Sequence, residues 1–570
     1  MKSHFISRSA VVAFSLGAAL SVLIPFHIHP LRSFWNDFVA FYALFGALLL
    51  LLFSGVKTWK WTGLSLLPIA LTGLLTIQCV FIDGIFGWDL VLPALYFLAL
   101  PFAFGFGATI SSSDQEFSFF ARIISYAFVI SAFCSVGIQI TQIAGIRFSP
   151  WMMAMPVSGW NIRPYANLGQ PNQLALWIAF GLSGTWYLFQ SKKFSGASAI
   201  LIAMFLVFGI ALTQSRIGWI ILPVMFFLFF VFSNLDRKAA RLSAIFILMF
   251  YFFCVFGLPV LLSYFSQENA SGVVARIGGR SERLGLYLHA LAMLREHPFL
   301  GVGWGQFGEH QVMIASQFPA TTYSEHAHNI VFQFVAELGL VPTCMILGIL
   351  GYWSFKVFIE AKKSDGLMFV FACLMAVGVH SMVEFPLWYA YVLIPVTVLM
   401  GAAHSNIWQC SEFKISRVSG IAVSLVVIIC SVFLVNDHSN VVAGFNQLRN
   451  VGSERLKTPS IVEQPTLTVL PYFYRYFEMM RIEPMESMTP SDIRFLEHWS
   501  LRFGFVHIIN KLAEVHALNG MEDAAVKDMV TLQKLHPERY AEYYDYWYAK
   551  GLSDPKYAKV VAKIPGRSAL

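Results

Sequence analysis

Charge is scarce in this sequence. Asp, Glu, Lys and Arg make up 12% of its 570 residues, about half of what an ordinary soluble domain carries. That scarcity excludes a cytosolic enzyme and a disordered chain. Basic residues outnumber acidic ones, giving a net charge of +7, but they form no basic tract, so no nucleic-acid partner is implied. Cysteine is equally thin. All seven except Cys410 lie in apolar runs and none forms a CxxC pair, which excludes a disulfide framework and a cysteine metal site. No internal repeat runs through the apolar part, so the inverted repeats common in transporters are not evident. Apolar bulk fills the space instead: 57% of residues are hydrophobic, 54 of them Phe, and the mean hydropathy is +0.64. The chain reads as an all-α polytopic membrane protein.

A helix needs about 20 apolar residues to cross the hydrocarbon core. That window predicts thirteen spans, at 10–26, 37–55, 63–82, 90–110, 120–144, 173–190, 197–214, 217–233, 242–263, 329–356, 367–383, 387–404 and 418–436. The first, behind Lys2 and Arg8, reads as a retained span rather than a cleaved signal, because more spans follow at once and no small-x-small site closes it. With the N-terminus inside, the short cytoplasmic segments receive fifteen Lys and Arg, from Lys2 and Arg8 to Lys414 and Arg417. The short outer segments receive four: Arg32, Arg147, Arg163 and Arg216. The bias predicts a cytoplasmic N-terminus. In a bacterial inner membrane the opposite face is periplasmic.

Two long polar segments then fall on that outer face, the loop 263–327 and the tail 437–570. The expected organisation is a membrane domain over 1–436 and a helical C-terminal domain over 437–570. Within the tail, Phe503 to Pro537 reads as two amphipathic helices joined at Asn519-Gly520. Leu512, Ala513 and Val515 mark one apolar face, and Ala524, Ala525, Met529 and Leu532 the other. The pattern looks like one tetratricopeptide-type hairpin. Self-packing cap and partner-binding module are equally open readings.

Polar residues gather at the outer ends of the spans, where a charge beside lipid tends to mark function. Arg216 lies in TQSRIGW. Arg163 lies in NIRPYANLGQPNQLA with Asn167, Gln170, Asn172 and Gln173. The large loop adds Arg276, Arg280 and Arg283, and closes on Glu325-His326-Ala327-His328-Asn329. Taken singly, an outer arginine is more often a headgroup anchor than a catalytic group. Their joint occurrence on one face points to a site. Guanidinium groups suit a diphosphate because the planar fork donates two parallel hydrogen bonds. Histidine suits removal of a hydroxyl proton, with an ordinary pKa of about 6.5. A site with both suits a lipid diphosphate and an acceptor hydroxyl.

The run RLGLYLHALAMLREHPFLGVGWGQF, with Arg283 and Tyr287 four residues apart, resembles a hallmark of the O-antigen ligase and polymerase superfamily. HAHNIVFQFVAELGL resembles its second hallmark, a His-Asn pair opening a span that reaches Glu-Leu-Gly, and the Arg of TQSRIGW matches a third. RPYANLGQPNQLA, MVEFPLWYAY and the helical tail are similar to the bacterial protein O-oligosaccharyltransferases that glycosylate pilins. The resemblance implies a GT-C-like membrane fold and en bloc transfer of a glycan from undecaprenyl diphosphate to a Ser or Thr hydroxyl at the periplasmic face, with no metal or other cofactor. No DxD or acidic cluster contradicts that in the outer segments. Carried over by motif, Arg216 and Arg283 bind the diphosphate and stabilise its leaving charge, with Arg280 a weaker candidate. His328 is the base or orients the acceptor, and His326 is its rival. Arg163, Gln170, Asn172 and Asn329 contact substrate.

Other classes fit less well. An O-antigen polymerase or ligase of the same superfamily differs only in its acceptor. A lipid-diphosphate phosphatase needs a Lys where Pro156 stands, a His where Leu222 stands, and a PSGH motif that is missing. A lipid-linked-oligosaccharide transporter places polar groups near the bilayer midplane rather than at one surface.

Overall fold

The computed structural model describes residues 2–53, 56, 58–154, 163–233, 237–266, 282–414, 416–451 and 462–567. Arg276 and Arg280 lie outside the described residues. Helices dominate. The strands among the described residues are Thr58–Trp61 and Ser411–Lys414, paired antiparallel with Thr58 opposite Lys414. Each of the thirteen predicted windows coincides with helix. Among the described residues, eight helices are long and apolar enough to cross a membrane, including Phe34–Phe53, Asp114–Ile143 and Ala390–Ile407. Ser7–Leu23, Gly196–Leu212, Gly218–Phe232 and Asp365–Ser381 are shorter apolar helices. The chain is a multi-pass membrane protein.

Two boundaries differ from the sequence expectation. The tenth window is broken: α12 (Ile330–Leu338) ends at Gly339, whose φ of 81° is left-handed, and α13 (Leu340–Ala361) starts afresh. The thirteenth does not stop at 436. Its helix, α16 (Arg417–Val451), runs on through the polar Asn436-Asp437-His438 stretch. Asp437 accepts hydrogen bonds from the Thr468 hydroxyl at 2.7 Å and the Val469 N–H at 2.8 Å. A polar run therefore marks the end of the apolar window but not of the helix.

The chain divides into two compact units. The first comprises 1–72, 95–279 and 348–432. In it α1 (Lys2–Leu23) packs on α2 (Phe34–Phe53) and α5 (Asp114–Ile143), and α5 packs on α6 (Pro171–Gln190). α6 also touches α7 (Gly196–Leu212) and α14 (Asp365–Ser381). Lipid supplies no hydrophobic drive between such helices, so small residues let backbones approach. A Cβ on Gly107 would stand 2.1 Å from the Val398 carbonyl oxygen, and one on Gly401 2.1 Å from that of Phe104.

The second unit comprises 73–94, 280–347 and 433–570, so the large polar loop from residue 280 onward belongs to the same unit as the tail. Its tail contains the expected hairpin, α19 (Val506–Leu518) and α20 (Glu522–Leu535). The turn is a glycine C-cap. Gly520 takes φ 77°, its N–H reaches the Ala517 carbonyl at 3.3 Å, and the Met521 N–H reaches that of His516 at 2.8 Å. Ala513, Ala525, Met529 and Leu532 pack with Tyr540 and Trp547, and Val312 and Ala315 of the loop belong to the same core. Leu512 and Val515 face the other way, onto Met479, Leu496 and Trp499. Buried Asn510 accepts from the Trp547 indole N–H at 2.8 Å and donates to Glu514 at 2.7 Å, which pairs these three polar side chains inside the core.

Candidate functional site

In the first unit the segment 163–173 is held by amides. Asn167, 1% exposed, donates to the carbonyls of Leu23 and Met152 and accepts from the Ala154 N–H. Gln170 caps α6, its side-chain oxygen accepting from the Gln173 N–H at 2.8 Å, with Pro171 opening the helix. Asn172 is the junction. Its oxygen accepts from Arg163 Nη2 at 2.9 Å and from the Ser215 hydroxyl at 2.7 Å, and its Nδ2 donates to Glu384 Oε1 at 2.9 Å. Arg163 Nε also donates to the Thr213 carbonyl at 2.8 Å. Three distant motif segments, QPN, TQSR and VEFP, are thus tied by one carboxamide.

Arg216 stands apart from that network. It is exposed, and its guanidinium has no hydrogen-bond or ionic partner among the described residues. It precedes α8 (Gly218–Phe232) by two residues, where the unpaired N–H groups and the helix dipole favour an anion. Gln214, two residues earlier, takes φ 47° and turns the chain sharply.

Replacing Asn172 by Ala removes one hydrogen bond from the buried Glu384 carboxylate, 6% exposed, and one from Arg163. A hydrogen bond to a charged group contributes about 1.5–3 kcal/mol. Asn172→Ala is therefore expected to lower the unfolding temperature in detergent and to weaken activity. Unchanged values for both would show that the carboxamide holds nothing.

The second unit explains why the two longer motifs occur together. The glycine-rich run 298–307 wraps the C-terminal end of α12. The Val302 N–H donates to the Ala336 carbonyl at 2.8 Å, Gly303 to that of Glu337 at 3.2 Å, and Leu340 to that of Pro298 at 2.8 Å. The first two bonds occupy carbonyls that a helix end leaves unpaired. Gly301 needs both its φ of 67° and its bare Cα, since a Cβ would sit 2.3 Å from the Glu337 carbonyl carbon. Gln78 completes the lock: its Nε2 donates to the Leu300 and Glu337 carbonyls at 2.7 Å, and its oxygen accepts from the Trp304 N–H at 3.1 Å. Buried Glu337 accepts from the Phe307 N–H at 3.3 Å.

The N-terminal end of α12 carries the His-Asn pair. Asn329 is the N-cap, its side-chain oxygen accepting from Val331 and Phe332 N–H at 2.9 and 3.3 Å. The Ala327 N–H donates to Gln333 at 2.7 Å, and the Ser324 hydroxyl donates to the His326 carbonyl at 2.7 Å. Between these locks His328 is held at φ 52°. A left-handed non-glycine residue costs about 1–3 kcal/mol and persists only where its surroundings enforce it. Ala166, Gln214 and His328, three of the five such residues described, lie in the three motif segments. Arg283 opens α10 (Glu282–Glu296) one turn before Tyr287, on the same face. The Tyr287 ring stacks on Phe332 at 4.3 Å, so that face of α10 lies on the first turn of α12.

Arg163 and Asn172 are thus brought into contact within one unit, alongside the turn that carries Arg216. Arg283, His326, His328 and Asn329 are grouped in the other. Gln170 and Asn329, expected at substrate, both spend their side-chain oxygen on a helix cap.

Residues 200–347 match the O-antigen ligase family, and residues 368–546 match the C-terminal part of the virulence factor membrane-bound polymerase family. The first interval holds Arg216, Arg283, His328 and Gly339. The chain thus carries an O-antigen ligase domain over residues 200–347. A general O-oligosaccharyltransferase of Acinetobacter baylyi is 26% identical over 560 residues, 92% of this chain and 91% of that protein. A ComP-specific O-oligosaccharyltransferase of the same organism is 29% identical over 317 residues, 54% of this chain and 55% of that protein. Like these relatives, the chain is a glycosyltransferase.

Sequence reasoning missed several residues that shape this fold. Gln78 sits inside an apolar window, and Glu337 and Glu384 sit at span ends. They are 0%, 1% and 6% exposed. Burial of a lone polar residue in an apolar window was the available signal.

Proposed function

We propose that this protein transfers an oligosaccharide en bloc from undecaprenyl diphosphate to a Ser or Thr hydroxyl of a periplasmic, pilin-like protein. The observation that carries the reading is Arg216: an exposed guanidinium without a partner among the described residues, beside a helix N-terminus, in a motif segment tied to Asn172 through Ser215. Such a group is ready for an anion. The acceptor oxygen attacks the anomeric carbon, its proton passes to His328 or His326, and the bond from that carbon to the diphosphate breaks. The departing diphosphate keeps the electron pair, and Arg216 and Arg283 neutralise it. The donor is already activated, so positioning and electrostatics suffice, and the reading needs no metal ion. In this reading the N-terminus is cytoplasmic, and the loop and tail are periplasmic in a bacterial inner membrane.

The end-to-end likeness to a general O-oligosaccharyltransferase favours a protein acceptor. The family descriptions favour a second reading, in which the acceptor is a lipid A core or a growing glycan. Intact-mass spectrometry of periplasmic proteins from cells with and without the gene separates them. A protein that loses a fixed glycan mass on deletion supports the first reading. Unaltered proteins with a shortened lipopolysaccharide ladder support the second.

A further inference from the structure

The tail and the histidine-bearing segment meet within the second unit. Thr321 and Tyr323 donate their backbone N–H groups to the carbonyls of Lys534 and Leu535, at 2.8 and 3.0 Å. Those carbonyls end the second helix of the hairpin, where a helix leaves acceptors unpaired. On the other side Gln311 clasps the same segment, donating to the Thr322 carbonyl at 3.1 Å and accepting from the Ser324 N–H at 2.8 Å. Ser324 in turn fixes the His326 carbonyl. The Tyr323 ring lies against the tail so closely that a Cβ on Gly504 would come within 2.4 Å of it.

A second contact reaches the glycine-rich run. Arg502, the last residue of α18 (Pro490–Arg502), donates from Nη1 to the Gly305 carbonyl at 2.6 Å and places Nη2 3.7 Å from Asp89. The carboxylates of Glu325 and Glu309 also stabilise its charge. Glu325 neighbours His326. The tail thus grips both ends of the structure built around α12.

We propose that the helical tail is an intramolecular positioning element for the segment His326–Asn329, with Arg502 as its positioning residue. This rests on the reading of that segment as the place where the acceptor hydroxyl is readied. The end of the tetratricopeptide-like hairpin is filled by the chain's own Thr321–Ser324, so its first partner is internal. The tail sets how fast bound substrates react rather than how tightly they bind. A misplacement of about 1 Å is enough to slow chemistry about a hundredfold.

The test uses the full-length protein in detergent or nanodiscs, a defined undecaprenyl diphosphate-linked oligosaccharide and a soluble pilin acceptor. Arg502→Lys keeps the charge but loses the fork, and Gly504→Ala presses on Tyr323 without touching a reacting group. Both are expected to lower kcat about a hundredfold while KM for donor and acceptor stays within about threefold. Hydrogen exchange at the Thr321 and Tyr323 amides is expected to speed up in both, with the membrane helices still protected. Wild-type kcat in both variants overturns the proposal, as does a raised KM at unchanged kcat, the signature of a tail that binds acceptor. If either variant fails to fold, the exchange measurement on the other decides: Tyr323 protection as in the wild type also overturns it. His328→Ala in parallel isolates the underlying reading. Full activity there sinks the assignment of the segment. An inactive His328→Ala beside fully active Arg502→Lys and Gly504→Ala sinks the positioning role alone.

Discussion

Alanine at Gly301 is expected to leave little folded protein in the membrane. The new methyl would stand 2.3 Å from the carbonyl carbon of Glu337 and 2.5 Å from its oxygen. Both belong to backbone, which has no rotamer to relax into. The residue also holds φ 67°, so a side chain is strained there even with space around it. Left-handed strain costs about 1–3 kcal/mol, and overpacking a fitted interface adds about 1–3 kcal/mol. Moving the glycine run away breaks further bonds, because Val302 and Gly303 cap the end of α12 from the same backbone. A total of several kcal/mol is a large part of a stability of about 5–15 kcal/mol. Gly339→Ala is expected to behave alike, with its Cβ 2.6 Å from the Phe299 backbone and φ 81°. Gly46→Ala is the control, since nothing lies within 4 Å of its Cβ position and it sits inside a helix. Thermal unfolding in detergent and membrane yield check the contrast. Equal stability of Gly301→Ala and Gly46→Ala would mean that the glycine run does not grip α12.

That grip also shows what the sequence could and could not reveal. Helices were legible because bilayer thickness imposes a length on apolar runs, and each of thirteen windows carries helix. The hairpin was legible because Asn519-Gly520 is a local stop signal between two amphipathic stretches. The motifs were legible as patterns, but their physical cause was not. Gln78 meets Glu337 across 259 residues, and Arg502 meets Gly305 across 197. Such contacts leave no period in the sequence. For the same reason the tail read as a separate domain, although its hairpin shares a core with Val312 and Ala315. Gln170 and Asn329 are expected at substrate only through the motifs that contain them. Only the distances show the oxygen of each already given to a cap. At Gly339 the apolar pattern continues unbroken while the backbone does not. Hydropathy reports burial in lipid and is blind to φ.

Arg216→Ala is expected to fold normally and to lose nearly all transfer. The two halves of that expectation have separate causes. Folding is spared because the side chain is exposed and makes no hydrogen bond or ion pair among the described residues. Its neighbours hold themselves: Ser215 through Asn172, and the start of α8 through the Ser215 hydroxyl and the Ile217 N–H at 3.3 Å. A surface change of this kind moves stability by about 0.5 kcal/mol at most. Transfer is lost if the guanidinium meets the charge that develops on the leaving diphosphate. One such preorganised donor is worth about 10²–10³ in kcat. Arg216→Lys keeps a positive charge without the two-pronged donor geometry and is expected to fall between alanine and wild type. Arg163→Ala provides the contrast, because Arg163 also braces Thr213 and Asn172 and its loss is expected to lower the unfolding temperature as well. Purified variants, assayed for glycan transfer beside their unfolding curves, give both readings at once. Wild-type turnover by a well-folded Arg216→Ala would remove the anion role from this residue, and with it the observation on which the proposed chemistry stands.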